Sequence, residues 1–317
     1  MNWKKVLRNI FLIFVYAVVA GAITMASQTV FEKDETAKIL ADSVDKAVST
    51  ASVLNAIGQD AAQDLPMKNA DAPDLDVTAE SAALYAFGSG GKKILFEKNI
   101  DKKLPIASVT KLMTALVVLE NYDLSQKVVI SLKAVSQGDK NLQFAAGEQY
   151  VIRDLLHFMM VRSSNEAAFA LSEISGTDRF VGMMNQRAKE IGLNNTAFDN
   201  PTGLGPTNFS TVSDLVKFAD YILKNRPLIF EMTESPDFSL YNASGDLTHK
   251  ENNINELLKD SELQGRIIGG KTGETPYAKQ CLILVLRSPN PDIYVVSAVL
   301  KSQDRFGDTR KMIKWGD

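Results

Sequence analysis

A serine and a lysine three residues apart carry the most pointed chemistry in this chain. They are Ser108 and Lys111, in the run Pro105-Ile106-Ala107-Ser108-Val109-Thr110-Lys111-Leu112-Met113-Thr114. On a helix, residues at that spacing share one face. A serine hydroxyl becomes a useful nucleophile only with a base in hydrogen-bond reach. A lysine can be that base when burial or nearby positive charge lowers its pKa. Pro105 suits a helix entry, where the dipole and free N–H groups favour developing negative charge. The pattern is short, however, and Ser43-Val44-Asp45-Lys46 repeats it. Taken alone, Ser108 reads first as a helix cap followed by a solvated lysine.

Two further polar clusters stand downstream. Ser163-Ser164-Asn165 follows Ser108 by 55 residues, and Lys271-Thr272-Gly273 follows Ser163 by 108. The first could simply cap the next helix, and the second could be a strand ending in a turn. No such clusters accompany Ser43. Three clusters in this order point to one site built around Ser108.

The elements needed to position them are legible. Ala82 to Phe87, a turn at Gly88-Ser89-Gly90-Gly91 and Lys93 to Glu97 predict a β-hairpin that feeds the Ser108 helix. That helix continues through Leu112, Met113, Ala115, Leu116, Val117, Val118 and Leu119, so it is expected to be buried on most sides and to keep Lys111 from ordinary solvation. Leu142 to Ile152 turns at Gly147. Helices are expected over Ile152–Met160, Glu166–Ile174, about Asp178–Ile191 and Leu215–Leu223, the last capped from Ser210-Thr211-Val212-Ser213-Asp214. Phe198 to Pro206 is a turn-rich loop, and residues 233–266 read as polar and irregular. Strands follow at Ile267–Gly273, Cys281–Leu286 and Ile293–Leu300, then a closing helix from Phe306 to Trp315. Strands at both ends with helices between give an α+β class, without internal repeats or a second C-terminal domain.

Composition narrows the functional classes. The chain has 317 residues and a net charge of −3, so nucleic acid is not an expected partner. The lone cysteine, Cys281, excludes an internal disulfide and a cysteine-rich metal site, and its apolar run reads as core. Neither His157, on an amphipathic helix, nor His249, in a polar stretch, has a neighbouring catalytic motif. No metal or cofactor is expected.

The N-terminal part reads separately. Lys4, Lys5 and Arg8 precede an uncharged run from Asn9 to Phe31, long enough to span a bilayer, with the basic flank inside and the remainder outside. Residues 1–31 are therefore read as a signal anchor, with a cleaved signal peptide as the rival because Thr24-Met25-Ala26 resembles a cleavage site. Residues 32–78 read as a helical and linker segment, and 79–317 as the catalytic domain.

The three clusters together resemble the active-site set of penicillin-recognising serine enzymes. Ala107-Ser108-Val109-Thr110-Lys111-Leu112-Met113-Thr114, Asn200-Pro201-Thr202-Gly203-Leu204 and Ser210-Thr211-Val212-Ser213-Asp214-Leu215 resemble the low-molecular-weight penicillin-binding proteins, the serine-type D-Ala-D-Ala carboxypeptidases, over about residues 80–317. The resemblance implies a penicillin-binding/β-lactamase-like transpeptidase fold: a five-stranded antiparallel sheet flanked by helices, plus a helical lobe carrying Ser163. It implies that Ser108 attacks the carbonyl between two D-alanines, that Lys111 takes its proton, and that Ser163 and Asn165 relay protons and hold the peptide. Lys271 and Thr272 would meet the terminal carboxylate. Gly273 would let substrate approach the strand edge, and the N–H groups of Ser108 and Glu274 would form the oxyanion hole. The implied partners are peptidoglycan stem peptides ending in D-Ala-D-Ala and β-lactam antibiotics, met on the outer face of the cell membrane. Endopeptidase action on cross-links is possible with the same residues.

Some positions depart from that family. Ser164 replaces a common glycine, Glu274 a usual histidine or tyrosine, and Lys279 a usual glycine. The anion at Glu274 threatens carboxylate binding unless it points away. Two other readings remain. A serine β-lactamase would need a glutamate in the loop that reads Asp199-Asn200-Pro201-Thr202-Gly203, which has none. A catalytically silent envelope-binding protein of the same fold would tolerate Glu274 and Lys279, but not explain the intact clusters.

Overall fold

The computed structural model describes residues 75–138 and 144–316. The expected anchor (1–31), most of the 32–78 segment and the second Ser-x-x-Lys at Ser43 lie outside the described residues.

In chain order, strands β1 (Ser81–Gly88) and β2 (Gly91–Lys98) form the hairpin, closed at Gly88 opposite Gly91. A short β3 (Leu104–Pro105) leads into a 3₁₀ turn, Ala107–Thr110, that runs straight into helix α1 (Lys111–Asn121). Then come β4 (Lys127–Val129), α2 (Leu132–Val135), β5 (Gln149–Val151), α3 (Ile152–Arg162), α4 (Asn165–Glu173) and α5 (Thr177–Ile191). After β6 (Phe209–Ser210) follow α6 (Val212–Asn225), α7 (Leu228–Glu234), β7 (Asp237–Tyr241) and β8 (Leu247–Asn252). The chain closes with β9 (Ile267–Thr275), β10 (Lys279–Arg287), β11 (Tyr294–Ser302) and α8 (Arg305–Gly316). Among the described residues no helix is long and apolar enough to cross a membrane.

β1, β2, β9, β10 and β11 make one antiparallel sheet in the order β2-β1-β11-β10-β9. Its central strands are covered on both faces, which is why Ala82-Ala83-Leu84-Tyr85-Ala86 and Cys281 to Leu286 read as continuous apolar runs rather than alternating ones. Ala83, Tyr85, Ile283, Val285, Val296 and Ala298 join a core shared with the helices. On the other face Leu84, Leu282, Leu284 and Val299 pack with Met312 and Ile313 of α8. Thr78 and Ala79 dock ahead of β1: their backbone N–H groups donate to the Asp308 carboxylate at 2.9 and 2.8 Å.

α1 is the buried axis of the helical lobe. Every residue from Lys111 to Val118 is buried. Residues 233–266, read from sequence as irregular, instead contain the β7–β8 hairpin. Its strands are short and mostly polar, and only Leu240 is fully buried among them, so no alternating apolar signal marks them.

Candidate active site

The site lies where the free edge of β9 faces the turn that starts α1. Ser108 sits in the 3₁₀ turn and Lys111 is the first residue of α1, so the pair occupies one continuous helical run. Ala107, just before the serine, takes a positive φ of 48°. For a residue with a Cβ that conformation costs about 1–3 kcal/mol and persists only where the surroundings enforce it. The enforcement is visible. Asn208 Nδ2 donates to Thr110 Oγ1 at 3.1 Å and to the Asn200 carbonyl at 2.8 Å, and Thr114 Oγ1 donates to the Pro201 carbonyl at 2.7 Å. The 199–205 loop is thereby tied to the serine turn. Gly203, at φ 86°, comes so close that a Cβ there would stand 1.9 Å from the Ala107 carbonyl oxygen.

Lys111 Nζ donates to Ser108 Oγ at 2.8 Å, to Asn165 Oδ1 at 2.7 Å and to the Thr202 carbonyl at 2.8 Å. Three acceptors match the three protons of an ammonium. When the amine is neutral, Asn165 and Thr202 can retain two N–H groups, and the lone pair then points at Ser108 Oγ. Burial lowers the Lys111 pKa from 10.5 to about 7, with the Glu166 carboxylate opposing that shift. At neutral pH a large share of the lysine is therefore free base, as a general base requires.

Ser163 occupies the left-handed cap between α3 and α4, at φ 64°. Lys271 Nζ donates to Ser163 Oγ at 2.9 Å and to the Thr272 carbonyl at 3.1 Å. Burial first, then the charges of Lys111 and Arg305, push the Lys271 pKa well below the ordinary lysine range. Thr272 Oγ1 is buried and has no hydrogen-bond partner. An orphaned buried hydroxyl calls for an explanation, and a ligand oxygen is a natural one. Gly273 is required by proximity: a Cβ there would meet the Ile106 carbonyl at 2.8 Å, Ser108 N at 3.0 Å and Ala107 Cβ at 3.1 Å.

Ser108, Lys111, Ser163, Asn165, Lys271, Thr272 and Gly273 thus meet in one cleft. Glu274 is exposed on β9, where Arg305 Nη1 donates to its Oε2 at 2.9 Å. Ser164 caps α4, accepting from Ala167 N at 3.1 Å and donating to Glu166 Oε2 at 2.8 Å. Lys279 explains why glycine suits its position, for it holds φ 50° at the foot of β10.

Sequence reasoning missed three participants. The Thr202 carbonyl orients Lys111, and a backbone acceptor leaves no mark in a sequence. Buried Glu166, at the start of α4, looks like an ordinary first-turn acid. Arg305, 31 residues beyond Glu274, reads as a surface cation although only 13% of its side chain is exposed.

The remaining candidates stay structural. His157 Nε2 lies 3.1 Å from Ser235 Oγ with its ring against Phe238, and His249 packs on Phe144 and Phe158. Burial pushes the Cys281 thiol up to about 11, away from thiolate chemistry. Among the described residues no group of three or more His, Cys, Asp or Glu side chains could hold a metal ion.

Residues 66–304 match the family model for D-alanyl-D-alanine carboxypeptidase, peptidase S11. The chain is 34% identical over 244 residues to the D-alanyl-D-alanine carboxypeptidase DacF of Bacillus subtilis, covering 74% of this chain and 61% of that one. It is 30% identical to a D-alanyl-D-alanine endopeptidase of Pseudomonas aeruginosa, covering 79% and 81%. Among solved structures it resembles penicillin-binding protein D2 from Listeria monocytogenes in its ampicillin-bound form, at 31% identity and a TM-score of 0.64 over 77% of this chain and 99% of that one. The chain belongs to the peptidase S11 family of D-alanyl-D-alanine carboxypeptidases. It spans about three-fifths of the length of the first curated carboxypeptidases it matches, 61% and 62%.

Proposed function

We propose that this protein is a serine D-Ala-D-Ala carboxypeptidase that trims peptidoglycan stem peptides through an acyl-enzyme on Ser108. The observation that carries this reading is Lys111 Nζ at 2.8 Å from Ser108 Oγ, buried and lowered to about pKa 7. The neutral amine of Lys111 takes the hydroxyl proton as Ser108 Oγ bonds to the carbonyl carbon between the two D-alanines. The N–H groups of Ser108 and Glu274 face the developing oxyanion, an interaction worth roughly 3–4 kcal/mol per donor. The C–N bond then breaks. The departing D-alanine amine collects a proton from the Lys111–Asn165 and Ser163–Lys271 hydrogen-bonded groups. Water attacks the ester and releases the shortened peptide. The stem peptide lies along the free β9 edge as an added strand. Its terminal carboxylate is met by Lys271 and by the unpartnered hydroxyl of Thr272.

β-Lactams fit the same scheme, because their acyl-enzyme forms at the same serine; ampicillin is bound in the Listeria monocytogenes relative. Efficient lactam turnover is not expected. The only acid of the 199–203 loop, Asp199, accepts from Thr207 Oγ1 at 2.9 Å and serves the loop itself. Endopeptidase cleavage of cross-links is the second reading, supported by the Pseudomonas aeruginosa relative's name. A silent binding protein has no use for a buried lysine held against a serine.

The uncharged run Asn9 to Phe31 behind Lys4, Lys5 and Arg8 supports membrane anchoring with the domain on the outer face. N-terminal sequencing of membrane-extracted protein tests it: the anchor predicts a start at the initiating residues, and a start near Ser27 or Gln28 would contradict it.

For the activity, the full chain is incubated with a stem-peptide analogue ending in D-Ala-D-Ala and free D-alanine is measured. Release that Ser108→Ala abolishes is expected. No release by folded wild-type protein would overturn the carboxypeptidase reading, and cleavage only of a cross-linked dimer would favour the endopeptidase.

A further inference from the structure

In the scheme above Glu274 contributes only its backbone N–H, and its side chain has no place. Its side chain is 57% exposed, whereas that of its partner Arg305 is 13% exposed. Arg305 is fixed. Its backbone N–H donates to Gln280 Oε1 at 3.1 Å, its Nη1 donates to the Gly273 carbonyl at 3.2 Å, and its guanidinium lies over the Phe306 ring. The same Nη1 donates to Glu274 Oε2 at 2.9 Å. Arg305 Nε is buried and has no partner. So a fixed guanidinium with an unused donor stands beside Gly273, on the strand that also presents Lys271 and the orphaned Thr272 hydroxyl. The one carboxylate it holds is the exposed, movable one.

We propose that Glu274 is a specificity-determining residue: its carboxylate occupies Arg305 in the free protein and competes there with the terminal carboxylate of the substrate. This inference rests on the functional reading above, in which a carboxylate-bearing peptide docks along β9. A carboxylate approaching Lys271 and Thr272 meets the Lys271 amine, the Arg305 guanidinium and one anion, Glu274. Lys111 faces the serine from α1, and Lys279, across the β9–β10 turn, is exposed. Until Glu274 swings out, the net attraction for an incoming anion is reduced by the Glu274 charge. The exchange is inexpensive because an exposed carboxylate loses little on leaving a partly solvated pair. Glu274 thereby weakens capture of every carboxylate-bearing donor and narrows the disadvantage of donors that carry none.

The test compares wild type and Glu274→Gln in the full chain. One acyl donor is a stem-peptide analogue ending in D-Ala-D-Ala, and the other is a neutral thioester with the same acyl part and no carboxylate. Glutamine keeps the size and the backbone N–H of residue 274 and removes the charge. The expected result is a roughly two- to fivefold rise in kcat/KM for the carboxylate donor, carried by a lower KM and confined to that donor. A fall, or an equal change for both donors, overturns the inference while leaving the carboxypeptidase reading intact. A wild-type chain that acylates with neither donor overturns both.

Discussion

The role of base proposed for Lys111 requires its burial, and that burial weakens the fold. Its pKa is about 7 in the folded chain against 10.5 for an ordinary lysine. Below pH 7 both states carry the proton, and the folded chain bears the full penalty of a buried ammonium. Between pH 7 and 10.5 the unfolded chain holds a proton that the folded chain has lost, so stability rises with pH through that window. Lys271 shifts in the same direction and adds to the slope. Denaturant titrations at pH 7 and pH 9 should therefore show a higher midpoint at pH 9, and Lys111→Met should flatten the difference without removing it. An equal or steeper pH dependence in Lys111→Met would show that the lysine is not the titrating group. In kinetics the same shift appears as an acid limb near pH 7 in the second-order rate of acylation by penicillin. Lys111→Met should lower that rate by roughly 10²–10⁴-fold, the usual worth of a positioned base. A variant within tenfold of wild type would assign the base elsewhere.

At the scale of elements, the cleft depends on a close fit between β9 and the serine turn. Gly273 sets the spacing. Gly273→Ala places a methyl group 2.8 Å from the Ile106 carbonyl and 3.0 Å from Ser108 N, so the strand or the turn has to move by several tenths of an ångström. A displacement of that kind spoils the alignment on which attack depends. The expected outcome is at least a tenfold fall in acylation rate with circular dichroism unchanged; an unchanged rate would show that the strand edge and serine need not be so close. Lys279 offers the opposite experiment. It sits at φ 50°, where a side chain costs about 1–2 kcal/mol and glycine costs less. Lys279→Gly should raise unfolding stability by about 0.5–1 kcal/mol, read as a higher denaturant midpoint, and a lower midpoint would mean that the lysine side chain contributes more than its backbone strain takes away.

Across the whole molecule, the sequence made the main architecture readable because the elements that matter are long and strongly patterned. The Ala82–Glu97 hairpin, the apolar runs of β10 and β11 and the buried helix after Ser108 each carry a clear signal and give the α+β class, while the five-stranded sheet and its lobe were implied by the family resemblance. The three polar clusters were readable only jointly, since each alone reads as a cap or a turn and their order and shared family resemblance made them a site. What escaped notice carried no such signal. The β7–β8 hairpin is short and half-polar. The Thr202 carbonyl is backbone, and Arg305 reaches Glu274 only because α8 begins beside the end of β9. Glu274 was visible as an anion next to Lys271-Thr272-Gly273, but its direction was not. The structure turns it onto Arg305.

The central claim is that Ser108, activated by Lys111, is the acylated nucleophile of a single cleft built from all three clusters. Intact-mass measurement of the full chain after exposure to benzylpenicillin, followed by peptide mapping, tests it most directly. One penicilloyl group per chain is expected, on the peptide containing Ser108, with no adduct in Ser108→Ala. Folded wild-type protein without an adduct, or an adduct that maps to any other residue, would contradict it.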